Sequence, residues 1–575
     1  MWADAVAAHH SSPAFLVRSG RTWRSVAWPE VADRVERVAA GLLDAGVGKG
    51  DRVALIMSTR PEWTVCDYAL QTIGAVTVPL YATASTADAS HVLSDCGARM
   101  VIVDEAVRAP PAAADAGIAV VATDGFAGAG ARSLDDVADA GGRVLAARPS
   151  AVADAGATVT ADDVSSIVYT SGTTGTPKGC VISHRNVRAM TDQVAGIPGL
   201  LSEGESVLLF LPLAHSFARL MQNLAVKVGI TIAYCADLRT VPAALVEVRP
   251  TIMPSVPRAY ELLQRQIAGQ VAGTSGVRRV AAEWAIGVGA DVERHRQAGR
   301  RLPPLLRAEH RIADRIVFSR LRRRVGGRLR LAVSGGAPLS KQVAEYLASV
   351  GVTVMEGYGQ TEATCASHFN LPGAGHYRFG TVGRALPGVD ARLADDGEVQ
   401  LHGPTVFVGY LGRPDDTRAV MTEDGWLRTG DLGEVDPDGF LRITGRKKDL
   451  IVTSGGENVQ PLRIEAALTA DPLVSQALVL GDRRDYIVAL IAVDRAERHR
   501  RRLDGAGEVA AVAEVVQGVN AGLAPYERIR RHAVLDREFT EEAGELTPTL
   551  KPRRQVCIDR NRDLIERLYS RREST

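Results

Sequence analysis

Short apolar runs alternate with stretches of helical periodicity through the first hundred residues. Val53-Ala54-Leu55-Ile56-Met57 is a continuous apolar run of strand length, the pattern of a strand buried on both faces. From Pro61 onward, Trp63, Cys66, Ala69, Leu70 and Ile73 recur at helical spacing, and Pro61 with Glu62 suits a helix start. Residues 75–80 read as a second strand, 86–96 as a second helix and 100–104 as a third strand. A βαβαβ unit of this kind predicts a parallel sheet with helices on its faces. Residues 107–160, rich in Ala, Gly and Asp, read as a variable surface region. A second such unit is expected to begin at 165–170 and to include 206–211, 230–234 and 329–334.

An Arg-rich helical insertion over about 262–328 interrupts that second unit. Within it Ala313, Val317 and Leu321 repeat every fourth residue, opposite Arg311, Arg315 and Arg322. The run from Arg320 to Arg324 reads as a solvated helix face in preference to a contact with a membrane surface or a phosphate. Beyond Gly380 the texture changes to short strands and tight turns. Asp395-Asp396-Gly397 and Asp436-Pro437-Asp438-Gly439 each separate two strand-like runs, which predicts two hairpins and a β-rich subdomain near 380–445. After the polar stretch Gly445-Arg446-Lys447-Lys448-Asp449 comes a mixed α+β segment. The expected domains are therefore 1–446 and 447–575.

Composition narrows the classes. The 575 residues carry 68 basic and 67 acidic side chains for a net charge of +1, so no single-sign field holds nucleic acid by charge alone. Cys66, Cys96, Cys180, Cys235, Cys365 and Cys557 lie far apart without a CxxC pair, which excludes a disulfide scaffold or zinc ribbon and suits a reducing cytosol. No basic, apolar N-terminal leader is evident, and the longest apolar runs are far too short to span a bilayer. A cytoplasmic protein is expected.

Three motifs carry chemistry. Thr170-Ser171-Gly172-Thr173-Thr174-Gly175-Thr176-Pro177-Lys178-Gly179 follows a predicted strand. Its glycines let backbone N–H groups approach an anion, and its hydroxyls and Lys178 add donors, as a polyphosphate requires. It is not a Walker A loop, because Pro177-Lys178-Gly179 stands where Gly-Lys-Ser/Thr is needed. The second motif is Ser334-Gly335-Gly336-Ala337-Pro338 with Glu356-Gly357-Tyr358-Gly359-Gln360-Thr361-Glu362, two glycine-bracketed loops at predicted strand ends. Such loops can enclose a flat base, with Tyr358 as a stacking face and Glu362 as a Mg²⁺ ligand. The third pairs Asp431, able to accept both hydroxyls of a ribose, with Arg446, able to neutralise phosphate.

These residues, in this order, resemble the adenylate-forming superfamily of acyl-CoA synthetases, peptide-synthetase adenylation domains and luciferases, over nearly the whole chain from residue 15. Thr59-Arg60-Pro61-Glu62-Trp63, the helical insertion and the segment from Gly326 to Leu339 look most like the bacterial long-chain fatty acyl-CoA synthetases. The resemblance implies an α/β fold. Its large N-terminal domain would have two doubly wound α/β subdomains and a small β-barrel-like subdomain, and its C-terminal domain would be small, mobile and α+β. It further implies that Thr170, Ser171, Gly172, Thr173, Thr174, Gly175 and Lys178 hold the ATP β- and γ-phosphates. Gly335, Gly336, Ala337, Glu356, Gly357 and Tyr358 would line adenine, Thr361 would touch the α-phosphate and Glu362 would bind Mg²⁺. Asp431 would take the ribose and Arg446 its phosphate side. His215 would border the carboxylate pocket, Lys448 would be the hinge, and Gly455 and Gly456 would pass the pantetheine arm of coenzyme A. Lys551, in Leu546-Thr547-Pro548-Thr549-Leu550-Lys551-Pro552, matches the catalytic lysine, and Pro552 biases it to an extended backbone.

The expected activity is ATP-dependent ligation of a fatty acid, long-chain by resemblance, to CoA, through an acyl-adenylate and with release of AMP and pyrophosphate. A ligase for a bulky terpenoid or aryl acid, retaining both half-reactions or one, and a silent acyl- or nucleotide-binding protein are the alternatives. A carrier-protein acceptor and peripheral contact with the inner membrane face stay open.

Overall fold

The computed structural model describes residues 2–8, 11–20, 22–104, 113, 117–123, 131–170, 177–547 and 551–570. Among them, strands form an eight-stranded and a nine-stranded sheet that share one apolar core. In the first, Arg52–Ile56 lies between Val76–Leu80 and Met100–Val103, all parallel. Helices Pro61–Thr72 and Thr86–Cys96 provide the crossovers, as the apolar pattern predicts. The outer strands Ala119–Ala122 and Arg132–Ser133 extend the same edge.

Two expectations are corrected. Val164–Thr170 does not open the second unit, since it pairs with Val76–Leu80 in the first sheet and antiparallel with Lys178–Ser183. The second sheet instead takes Ser206–Leu209, Thr231–Tyr234, Ile252–Ser255, Leu331–Ser334 and Val354–Tyr358 as parallel neighbours, with Phe15–Ser19 added beside Thr231–Tyr234. Nor is 107–160 all surface. Helix Leu134–Ala147 buries Leu134, Val137 and Ala138 against helix Trp28–Asp44. The two helices touch backbone to backbone, because a Cβ on Gly41 would overlap the Val137 carbonyl and one on Gly141 that of Arg37. Alanine-rich helices reach such close packing through small residues, and for that reason the segment reads as featureless in sequence.

The insertion is helical, as expected, over Pro257–Ala272, Val277–Gln297 and Pro304–Ala313. Ala313 and Phe318 face inward, while Arg311, Arg315, Arg320, Arg323 and Arg324 are solvated. Arg322 pairs with Asp314. Among the described residues no helix is long and apolar enough to cross a membrane.

Both predicted hairpins form, joining Asp390–Leu393 to Glu398–His402 and Leu427–Val435 to Leu441–Arg446 in one four-stranded antiparallel sheet. After Lys447–Asp449 the smaller C-terminal domain has its own sheet of Val474–Leu480, Ile487–Val493 and Ile529–Leu535. Its apolar clusters, built around Ile464, Leu468 and Ile491 on one face and Leu478, Leu490 and Cys557 on the other, stay separate from the large core.

One buried polar network joins the two large subdomains. Asp67, fully buried on helix Pro61–Thr72, accepts from Arg219 Nη2 at 3.1 Å, Gln222 Nε2 at 3.0 Å and Thr77 Oγ1 at 2.8 Å. The Arg219 guanidinium also lies 5.7 Å from the Trp63 ring. Arg219 and Gln222 belong to helix Ser216–Val228, whose other side chains line the cleft described next.

Candidate active site

The ends of the parallel strands, the four-stranded sheet and the C-terminal domain surround one continuous cleft of about 3310 Å³. At its phosphate side, Thr170 and Lys178 face each other as register partners across the two strands that carry the first motif. Ser171, Gly172, Thr173, Thr174 and Gly175 lie outside the described residues. Lys178 Nζ pairs with Asp416 Oδ1 at 2.9 Å and sits 5.5 Å from the ring centre of Tyr410. The Tyr410 hydroxyl in turn donates to Glu362 Oε1 at 2.9 Å. A lysine, a phenol and a carboxylate thus converge at the phosphate side of the cleft. Neither Asp416 nor Tyr410 is signalled by the sequence motifs. Asp416 reads there as an ordinary acid in the first turn of helix Pro414–Val420.

Glu362 is the carboxylate placed to hold Mg²⁺. Among the described residues no cluster of three metal-ligating side chains occurs. Mg²⁺ is commonly held by one or two carboxylates with the rest of its shell from substrate phosphates and water, and a lone Glu362 beside Lys178 suits that arrangement.

On the adenine side, Leu331–Ser334 and Val354–Tyr358 run parallel, so Gly335-Gly336-Ala337 and Glu356-Gly357-Tyr358 emerge together along the cleft. Gly336 has φ +83°, and a Cβ on Gly359 would overlap the Cys365 carbonyl. The loops are joined by a hydrogen bond from Leu339 N to Glu356 Oε1 at 2.9 Å. Burial pushes the Glu356 carboxyl up to about 8, so it is largely neutral at pH 7. The Tyr358 hydroxyl, kept protonated by burial and by the nearby Asp431 charge, donates to Asp431 Oδ2 at 2.6 Å. Arg446 Nε donates to Asp431 Oδ1 at 2.7 Å from the directly opposite ladder position. Asp431 is only 2% exposed, and each of its oxygens keeps a lone pair for another donor. Thr361 opens the short helical turn Thr361–Ala363 at the cleft wall.

His215 caps helix Ser216–Val228, with its Nδ1 accepting from Phe217 N at 3.2 Å. Its remaining proton therefore sits on Nε2. Burial and the charge of Lys551 hold the imidazole down to about 4, so it is a neutral donor at physiological pH. Lys551 enters from the C-terminal domain beside Thr547, where Thr547 N donates to Lys551 O at 2.8 Å and Lys551 N to Thr547 Oγ1 at 3.0 Å. Pro548, Thr549 and Leu550 lie outside the described residues. Lys551 is exposed within the cleft, yet the surrounding walls and then Arg446 push the ammonium down to about 8, with Asp431 opposing. An apolar wall runs beside His215, formed by Val194, Leu200, Phe217, Leu220, Met221 and Leu224.

Thr170, Lys178, Gly335 to Ala337, Glu356 to Tyr358, Thr361, Glu362, Asp431, Arg446, Lys448, His215 and Lys551 thus line one space. Gly455 and Gly456 do not join them. They form the exposed turn between Ile451–Val452 and Asn458–Val459.

The AMP-binding enzyme profile matches residues 2–411, and that of the AMP-binding enzyme C-terminal domain matches 448–573. The chain belongs to the AMP-binding enzyme family. It is 38% identical over 570 residues to the long-chain-fatty-acid–CoA ligase FadD15 of Mycobacterium bovis, covering 96% of this chain and 93% of that one. The rat long-chain-fatty-acid–CoA ligase ACSBG1 is 28% identical, over 95% and 82% of the two chains. Among solved structures, this AMP-binding enzyme shares the fold of the adenylation domain of a carboxylate reductase from Mycobacterium chelonae (TM-score 0.74, 24% identity, 99% and 90% coverage). ATP-bound MatB from Rhodopseudomonas palustris is similar too (TM-score 0.72, 24% identity, 98% and 100% coverage).

Proposed function

We propose that this AMP-binding enzyme is an acid:CoA ligase that activates a long-chain fatty acid with ATP and transfers the acyl group to CoA. The observation that carries the reading is the meeting of His215, Lys551, the Asp431–Arg446 pair and Lys178 with an apolar wall in one cleft. The names of the FadD15 and ACSBG1 relatives support the acid class.

A thiol cannot displace oxide from a carboxylate, so the carboxylate oxygen first needs a better leaving group. Attack of that oxygen on the α-phosphorus of ATP expels pyrophosphate and leaves AMP on the acid. Positioning and charge neutralisation are the protein's contributions to such a step. The loops after Ser334 and Glu356 hold adenine, and Asp431 accepts the ribose hydroxyls. Lys178 leaves Asp416 for the β- and γ-phosphates, assisted by Thr170 and the loop from Ser171 to Gly175, while Thr361 meets the α-phosphate. Mg²⁺ held by Glu362 would supply further positive charge to the phosphates. His215 Nε2–H orients the carboxylate at the head of the apolar wall, and Lys551 offsets charge building on the α-phosphate and the oxygen between them. The C-terminal domain, from residue 447, then turns about Lys448. Lys551 is withdrawn, and Gly455 and Gly456 are brought toward the thiol arm of CoA, whose attack on the acyl carbon releases AMP. Graded chain lengths and aryl acids, assayed for CoA-ester formation, test the acid class. Preference for long alkyl acids is the expected result, and preference for a compact aryl acid contradicts it.

The proton on Lys551 also sets an alkaline limit. Its ammonium is held down to about 8, so the cation is lost as pH rises through that value. The kcat/KM for ATP reports the free enzyme and is expected to fall about tenfold per pH unit above that point in pyrophosphate exchange. The Lys551→Arg variant, whose guanidinium does not deprotonate, should lose this limb. An identical alkaline fall in both proteins would assign the limit to another group.

A further inference from the structure

The position of Lys551 depends on how the C-terminal domain sits, and its apolar clusters do not merge with the large core. Polar contacts therefore weigh heavily in placing it. One set comes from helix Pro257–Ala272, which sits on the strand that ends at the adenine loop. The Tyr260 hydroxyl on that helix contacts Met253 O at 2.7 Å and Val333 O at 3.1 Å. Two turns apart on the outer face, Arg258 and Arg265 reach across. Arg258 Nη1 donates to Ser475 O at 3.4 Å. Arg265 Nη1 pairs with Asp494 Oδ2, and its Nη2 contacts Val474 O at 3.4 Å. They grip the beginning of strand Val474–Leu480 and the end of strand Ile487–Val493, adjacent points on one sheet. The Arg265 and Asp494 side chains are only 16% and 15% exposed, so solvent screens this pair far less than a surface pair.

We propose that Arg265, with Arg258 beside it, is a positioning residue for acid adenylation: it latches the C-terminal domain through Asp494 in the arrangement that presents Lys551 to the cleft. The proposal rests on the ligase reading above. The latch holds its partners only while Lys551 is inside. Turning about Lys448 returns Arg265 and Asp494 to water, so their attraction favours one arrangement and shifts the population toward it. An ion pair contributes to conformational choice only through such a difference between states. The latch is strong enough to bias the domain and, being one pair with two weak carbonyl contacts, weak enough to release within each turnover.

The test separates the half-reactions in Arg265→Met and in Asp494→Asn. The second variant keeps the helix cap, because Asp494 Oδ1 accepts from Glu497 N at 2.9 Å and asparagine caps equally well. In each, adenylation measured by pyrophosphate exchange is expected to fall about five- to tenfold. Conversion of supplied acyl-adenylate to the CoA ester should stay level or quicken. The double variant should be no worse than either single one, and Arg265→Lys should recover most of the loss. Equal losses in both half-reactions, or wild-type rates in both, would overturn the latch. A wild-type protein inactive in both would instead refute the ligase reading. The latch is then read from spin labels on Glu36→Cys and Glu514→Cys in a Cys365→Ser chain. Arg265→Met broadening the label distance supports it, and an unchanged distance refutes it.

Discussion

In the Lys551→Ala variant, acid-dependent exchange of pyrophosphate into ATP is expected to fall by about 10²–10³, while supplied acyl-adenylate is still converted to the CoA ester at the wild-type rate. The asymmetry follows from where the ammonium sits. It is carried by the C-terminal domain yet lies in the cleft close enough to Arg446 and Asp431 to be shifted by both, and close enough to His215 to lower the imidazole. In the enclosed cleft a preorganised cation offsets developing charge far better than one in water. In the proposed sequence of steps, thioester formation follows withdrawal of that domain face and does not use the lysine. Separate assays of the two half-reactions decide the matter. Matching losses in both would mean that Lys551 supports the fold or nucleotide binding in general and is not specific to the first step.

The Asp67→Ala substitution is expected to cost about 3–5 kcal/mol of stability, the range for stranding one member of a buried ion pair. Arg219 would keep its charge at 6% exposure with no carboxylate opposite, and Gln222 and Thr77 would each lose an acceptor. The damage should reach the site as well, because Phe217, Leu220 and Met221 share the helix with Arg219 and line the cleft. Denaturant unfolding followed at the first transition measures the loss. Replacing both partners, in Asp67→Leu with Arg219→Leu, should cost less than Asp67→Ala alone, since no uncompensated charge stays buried. An Asp67→Ala protein as stable as the wild type would show that the network contributes nothing net.

What could be read without coordinates was the chemistry encoded locally. The segment from Glu356 to Glu362 and the two hairpin turns lie within short windows, where glycine placement and strand alternation carry the signal. Contacts between distant segments carry no such signal. Val164–Thr170 has the composition of a buried strand in either sheet, and only its pairing with Val76–Leu80 decides which. Asp67 reads as a polar break in an apolar helix pattern, because its partners Arg219 and Gln222 stand over 150 residues away. Asp416 looks like any helix-start acid until Lys178 is seen to rest on it. The latch through Arg265 and Asp494 likewise joins two charges that are ordinary surface residues in their own segments.

The most direct measurement of the central claim is exchange of labelled pyrophosphate into ATP by the intact protein, with magnesium and a long-chain fatty acid and without CoA. The account predicts exchange that depends on the acid, with AMP appearing once CoA is added. Release of ADP and phosphate, or exchange that ignores the acid, would contradict it.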